Sequence, residues 1–185
     1  MALKPTIYKL RLNLADMNNN HYDCLTLTVA QHPSETLERM MVRVLARCLH
    51  AHTKDQNQAE LEFTSGLSTP EEPDLWQKSL DDRLLLWVDV GEPLGERVKK
   101  ASRRAERVSV YSFNSKSAVW WKQEGPAIVE VGASVSSFEW EQVQSLAGLI
   151  DRTAELSVSI SESSIYVASD ADECELSLHK LHPNE

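Results

Sequence analysis

The residues best placed to do chemistry are two aspartates that the spacing of the chain can bring together. If Asp81-Asp82 is a two-residue turn, Leu80 pairs with Arg83, and counting back along both arms sets Asp74 opposite Asp89. Residues directly opposite in an antiparallel pair share a face, with Cβ atoms about 5 Å apart. Two carboxylates that close repel each other unless a cation or a proton lies between them. Oxygen ligands of this kind suit Mg²⁺ or Mn²⁺. The alternative is that Asp74 merely follows Pro73 in a loop and Asp89 ends a strand at the surface.

The second feature is a concentration of basic charge. The formal net charge is −9, which argues against a general nucleic-acid binder. Yet the segment from Arg97 to Arg107 holds Arg97, Lys99, Lys100, Arg103, Arg104 and Arg107 against the single acid Glu106, so it carries +5 and the rest of the chain −14. That contrast marks a localised anion-binding face, with a solvated helix face as the alternative. A further row, Arg39, Arg43 and Arg47, reads as a solvated face with Glu35 four residues before Arg39. His32 reads as a helix cap. Of the adjacent Trp120 and Trp121, at least one belongs in the core. Asp170, Asp172 and Glu173 read as acidic turn residues.

Other chemistries are excluded by what is missing. Glycines stand only at 66, 91, 95, 125, 132 and 148, so neither a P-loop nor a GxGxxG fingerprint can be built. There is no HExxH, no zinc-type Cys/His spacing and no GxSxG elbow. Cys24, Cys48 and Cys174 are scattered, and read as reduced, buried thiols of a cytoplasmic protein. No apolar run approaches the roughly 18 residues of a membrane span, and the opening MALKPTIYKLRLNL lacks the apolar core of a signal peptide.

The elements that must hold these residues follow from periodicity. Tyr8, Leu10, Leu12 and Leu14 alternate with polar residues, Asn18-Asn19-Asn20 supplies a turn, and Leu25, Leu27 and Val29 alternate again, which predicts a hairpin. Residues 34–52, opened by Pro33 and Ser34, carry the helical stripe Leu37, Met40, Met41, Val44, Leu45, Cys48 and Leu49. Leu61 to Thr64 is a candidate strand, and Leu75-Trp76 and the apolar run Leu84 to Val90 follow as strands, the last covered on both faces. Pro93 opens a basic helix, Val108 to Tyr111 is a strand, Ser115 caps a short helix, and Ala127 to Val131 reads as another strand. A helix from Glu139 to Ile150 and three polar-alternating strands complete one domain spanning residues 1–185. The order β-β-α-β-β-β-α-β-α-β-α-β-β-β predicts an α/β (α+β) fold, a mixed β-sheet flanked by helices, with β-hairpins at both ends.

Three blocks then carry a resemblance. HPSETLERMMVRVLARCLHA (His32 to Ala51), LWVDVGEP (Leu86 to Pro93) with VKKA (Val98 to Ala101), and YSFNSKSAVWW (Tyr111 to Trp121) keep the order of the YaeQ family, and the opening MALKPTIYK fits as well. The chain resembles that family over nearly its whole length. The family is similar in fold to PD-(D/E)XK nucleases, which assemble a helix glutamate, an aspartate and an acidic-x-Lys motif around Mg²⁺. The resemblance implies Glu38 as the helix acid, Pro73-Asp74 as the PD and Asp89 as the third acid, so that Glu38, Asp74 and Asp89 would hold Mg²⁺ or Mn²⁺. The lysine expected two residues after Asp89 is Gly91; Lys99 or Lys100 would supply the amine instead. Metal-assisted phosphodiester hydrolysis would follow, with Arg97, Lys100, Arg103 and Arg104 on the nucleic-acid backbone. The other readings are a non-catalytic module that binds a protein partner through the arginine face of the first helix, and a small-molecule phosphoesterase.

Overall fold

The computed structural model describes residues 3–54, 59 and 61–182. Its strands are β1 (Thr6–Asp16), β2 (His21–Gln31), β3 (Glu62–Phe63), β4 (Leu75–Lys78), β5 (Leu84–Val90), β6 (Ala105–Ser112), β7 (Ser134–Phe138), β8 (Thr153–Ser161), β9 (Ser164–Ala168) and β10 (Glu173–His182). Its helices are α1 (Leu37–Leu49), α2 (Gly95–Ser102), α3 (Ser117–Glu130) and α4 (Trp140–Ala147). All ten strands join one mixed sheet in the order β2-β1-β8-β9-β10-β7-β6-β5-β4-β3. β1 runs parallel to β8, and β5, β6 and β7 run parallel to one another. The order of element types is the one predicted, although the strand between α3 and α4 lies at Ser134–Phe138 and not at 127–131. The polar alternation of β8 and β9 is explained by a sheet with one face on the core, where Val158, Ile160, Ile165 and Val167 point, and the other face more exposed, and Leu176 of β10 joins the same core.

The apolar residues divide between the two faces of the β5–β7 region. Leu86, Val88 and Val90 share one cluster with Met40, Met41 and Val44 of α1 and Val143 and Leu146 of α4. Trp87, Val108 and Val110 share the other with Val98 and Ala101 of α2 and Trp120 and Ile128 of α3. Burying one such aliphatic side chain contributes about 1.5–3 kcal/mol. The sheet is therefore anchored on both sides at the segment that carries Asp89.

Several local expectations need correcting, among them the cap of α3, which is Lys116 without a side-chain hydrogen bond and not Ser115. Helix α1 starts three residues late: Thr36, not Pro33-Ser34, is the N-cap, its hydroxyl accepting from the Arg39 N–H at 3.2 Å. That leaves Glu35 outside the helix and free to fold under it. Residues 127–131 are not a strand but, up to Glu130, the last turn of α3, with β7 following. The helix runs on through Pro126 because Ile128 is fully buried against α2 and β6, and Gly125 clears the Trp121 ring, which an added Cβ would meet at 3.0 Å. Of the cysteines, Cys24 is exposed rather than buried, while Cys48 is buried and all three are free thiols. Trp120 is in the core and Trp121 is half-buried, as their adjacent positions required. No helix among the described residues is long and apolar enough to cross a membrane.

The β4–β5 hairpin reaches the expected juxtaposition by a different route. Its loop has three residues, Leu80-Asp81-Asp82, closed by Ser79 N–H to Arg83 O at 2.9 Å, with Asp82 in the left-handed region at φ 63°. A type I turn followed by one left-handed residue is a common three-residue hairpin loop. Lys78 then pairs with Leu84, and the register shifts by one before Gln77, so that Leu75 pairs with Val88. The shift cancels the extra loop residue. Asp74, one step past the strand, lands beside the end of β5 that holds Asp89.

Candidate functional site

Asp74 and Asp89 line one cleft of about 370 Å³ at the C-terminal end of β5, walled by Arg39 of α1, Arg97 of α2, Gly91-Glu92-Pro93 and Asn114. Both carboxylates are buried. They are turned to different partners. Asp74 accepts from the Val90 N–H at 2.7 Å and from Arg39 Nη2 at 2.7 Å. Asp89 is held by both prongs of Arg97, Nε to Oδ2 at 2.8 Å and Nη2 to Oδ1 at 3.0 Å. Burial pushes the Asp74 carboxyl above its ordinary value, against the pull of Arg39 and the Val90 N–H, and the charge of Asp89 pushes it the same way.

Arg97 does more than pair. Its Nη2 donates to Glu72 O at 2.8 Å and its Nη1 to Pro70 O, while Arg104 Nη1 donates to Glu71 O at 2.8 Å and packs 5.0 Å from the Trp87 ring centre. Two arginines thus tie three successive carbonyls of the proline loop down beside the cleft. Planar guanidinium forks suit this bidentate work. The alternation of charge continues inward: Arg39 Nη1 donates to Glu35 Oε1 at 2.8 Å, and Arg43 grips Glu35 with Nε at 2.8 Å and Nη2 at 2.7 Å. Arg43 also donates to Ala30 O at 2.8 Å. This corrects the expectation of a solvated arginine face. Arg43 and Arg47 are buried and Arg39 nearly so, and α1 is covered from Met40 to Cys48 without a break. A protein partner has no arginine face to grip there.

The other sequence candidates fall as follows. Glu38 does not line the cleft and, among the described residues, makes no hydrogen bond or ion pair; the buried acid at the head of α1 is Glu35. Lys99, Lys100 and Arg103 are exposed on and just after α2, with no charged partner among the described residues. Arg97 is drawn inward onto Asp89, and Arg104, though exposed, is spent on Glu71 O and the Trp87 ring. Glu92, which the sequence reading missed, accepts from Ser112 Oγ at 2.7 Å, the Phe113 N–H at 3.1 Å and the Asn114 N–H at 2.9 Å. Its only sequence signal is its place three residues after Asp89. His32 does not cap α1; its Nδ1 accepts from the Ser34 N–H at 3.0 Å in the preceding turn. It borders a larger cavity, about 660 Å³, whose charged lining, Glu35 and Arg43, is already mutually satisfied.

Gly91 has a backbone reason for standing where a lysine was expected. Its φ is +112°, a region side-chain-bearing residues rarely adopt, while a Cβ there would meet nothing within 4 Å. The turn after β5 needs glycine for its conformation, not for space. Its N–H donates to Tyr111 O at 2.8 Å, which fixes that turn against β6.

The donor set decides how a divalent cation would fare. Among the described residues no three His, Cys, Asp or Glu side chains converge as a metal site. The two carboxylates that do come together already accept from guanidiniums. The arrangement as it stands is a charge-compensated cleft and does not fit a resident cation.

The whole molecule has close counterparts. The model of the family described as YaeQ protein matches residues 1–178. The chain is 37% identical over 180 residues to the uncharacterized protein YaeQ of Escherichia coli strain K12, covering 96% of each, and 36% identical to that of Salmonella typhi over the same shares. The crystal structure of the YaeQ protein from Xanthomonas axonopodis pv. citri superposes with a TM-score of 0.88 at 32% identity, covering 96% of this chain and 98% of that one. The YaeQ protein from Pseudomonas syringae gives 0.87 at 37% identity, covering 97% of both. The chain belongs to the YaeQ family.

Proposed function

We propose that the Asp74–Asp89 cleft and the exposed side of α2 form one site that binds the phosphodiester backbone of a nucleic acid without cutting it. The observation that carries this reading is the division of labour in the basic segment. Arg97 walls the cleft and holds Asp89, while Lys99, Lys100 and Arg103, on and just after the same short helix, stay exposed and unpaired among the described residues. Eight helical residues span about 12 Å, so these charges can track several phosphates, and releasing their counterions would supply the affinity. The PD-(D/E)XK-like reading of the fold is part of this proposal: Asp74 and Asp89 stand as its two acids, with Arg97 on Asp89 in place of an amine.

The rival is Mg²⁺- or Mn²⁺-dependent phosphodiester hydrolysis on the same carboxylates. Fluorescence anisotropy with single- and double-stranded DNA and RNA, at 50 and 200 mM salt as roughly spaced points on the counterion-release line, separates the two. The binding reading expects salt-dependent association, weakened in Lys100→Ala/Arg103→Ala, and intact substrate on a gel in either metal. Metal-dependent cleavage lost in Asp89→Ala establishes the nuclease instead. Absence of association with every nucleic acid sinks both.

A further inference from the structure

A second cavity, of about 420 Å³, lies where the first turns of α3 and α4 meet, and it shares Asn114 with the Asp74–Asp89 cleft. Its lining includes three aromatic rings, Phe138, Trp121 and Trp140, and two carboxylates, Glu139 and Glu141. Among the described residues no lysine, arginine or histidine lines it. We propose that it binds a small organic cation, one bearing an ammonium or guanidinium group.

The volume falls in the range of small-molecule sites. Ring faces attract a cation through their quadrupole, Trp most strongly. Trp121 is seated for this: its ring lies against Gly125 one turn on, where any larger residue would displace it. Trp140 is braced from the other side by Phe113, ring centres 6.2 Å apart. The acids are mostly unspent. Glu141 has no partner among the described residues, and Glu139 has one, His179 Nε2 at 2.9 Å. The start of α4 contributes a positive end of roughly half an elementary charge, which two carboxylates outweigh. Asn114 donates its amide N–H to Glu92 and leaves its carbonyl oxygen free to accept. Two carboxylates and three aromatic residues with no basic side chain beside them favour an occupant that is positively charged. This site is independent of the reading given to the Asp74–Asp89 cleft.

Calorimetric titration with choline, with agmatine and with the uncharged carbon isostere of choline tests it. Binding of choline identifies a quaternary-ammonium site, and binding of agmatine alone a site that needs the N–H donors of an ammonium or guanidinium; either supports the proposal if the isostere binds at least ten-fold more weakly. Glu141→Gln, an exposed and near-isosteric change that should leave the thermal midpoint unchanged, should weaken the cation by a similar factor, and Trp121→Leu should weaken it as well. Equal binding of the isostere, absence of heat with both cations, or an unchanged affinity in Glu141→Gln overturns it.

Discussion

Helices α1 and α2 both display a run of basic residues in the sequence, and the fold treats them in opposite ways. On α1, Arg39 and Arg43 are drawn under the helix by Glu35 and Asp74 and act as cross-links in a buried charge ladder. On α2, only Arg97 is so used, while Lys99 and Lys100 remain in solvent. The difference lies in the acids. Glu35 and Asp74 are placed within reach of α1 by the turn before it and by the β4–β5 hairpin, whereas among the described residues no acid forms an ion pair with Lys99 or Lys100 on the outer side of α2. A basic row becomes structure where the fold brings it a carboxylate, and becomes surface where it does not.

The largest effect expected from breaking this contrast is at Arg43. Arg43→Met leaves Glu35 buried with one guanidinium instead of two, and removing one partner of a buried pair costs about 3–5 kcal/mol. Urea denaturation should show that loss, and Glu35→Leu/Arg43→Met should recover a good part of it by removing the stranded charge. If the single and double variants are equally destabilised, the ladder is not what holds α1.

A smaller effect concerns pH. Asp74 has a folded-state pKa above its ordinary 3.8, so the folded protein binds that proton more tightly than the unfolded chain. Its contribution to stability is full below the unfolded value and is lost as pH rises through the folded one. The stability of the wild type relative to Asp74→Asn should therefore fall as pH rises above the ordinary carboxylate range of about 4. A difference that grows with pH would mean that Arg39 and the Val90 N–H outweigh burial.

The smallest effect is expected on α2. Lys100→Ala/Arg103→Ala should change stability by no more than about 0.5 kcal/mol, since exposed charges without partners contribute little. It should at the same time flatten the salt dependence of nucleic-acid binding by about one unit of slope per charge removed. A stability loss like that of Arg43→Met would erase the distinction between the two helices.

Much of the scaffold is legible in the sequence because period-2 and period-3.6 burial are local properties. The β1–β2 hairpin, the buried stripe of α1 and the apolar run of β5 follow from them. Glu35 and Arg39 were readable as a pair four residues apart. The Pro126 helix was not, because only the burial of Ile128 against a distant strand keeps it going. Nor was the true hairpin loop, where a three-residue turn and a register shift cancel and leave Asp74 where a simpler count put it.

The sequence by itself determined the element order, the family and the pair of aspartates, since each rests on residue types and short spacings. Only the tertiary structure decided what surrounds them. It set Arg39 on Asp74 and Arg97 on Asp89, left Glu38 outside the cleft, and gave the turn at Gly91 a φ that excludes a lysine there. Ion pairing and burial depend on which segments meet in space, and Arg39 meets Asp74 across 35 positions of sequence.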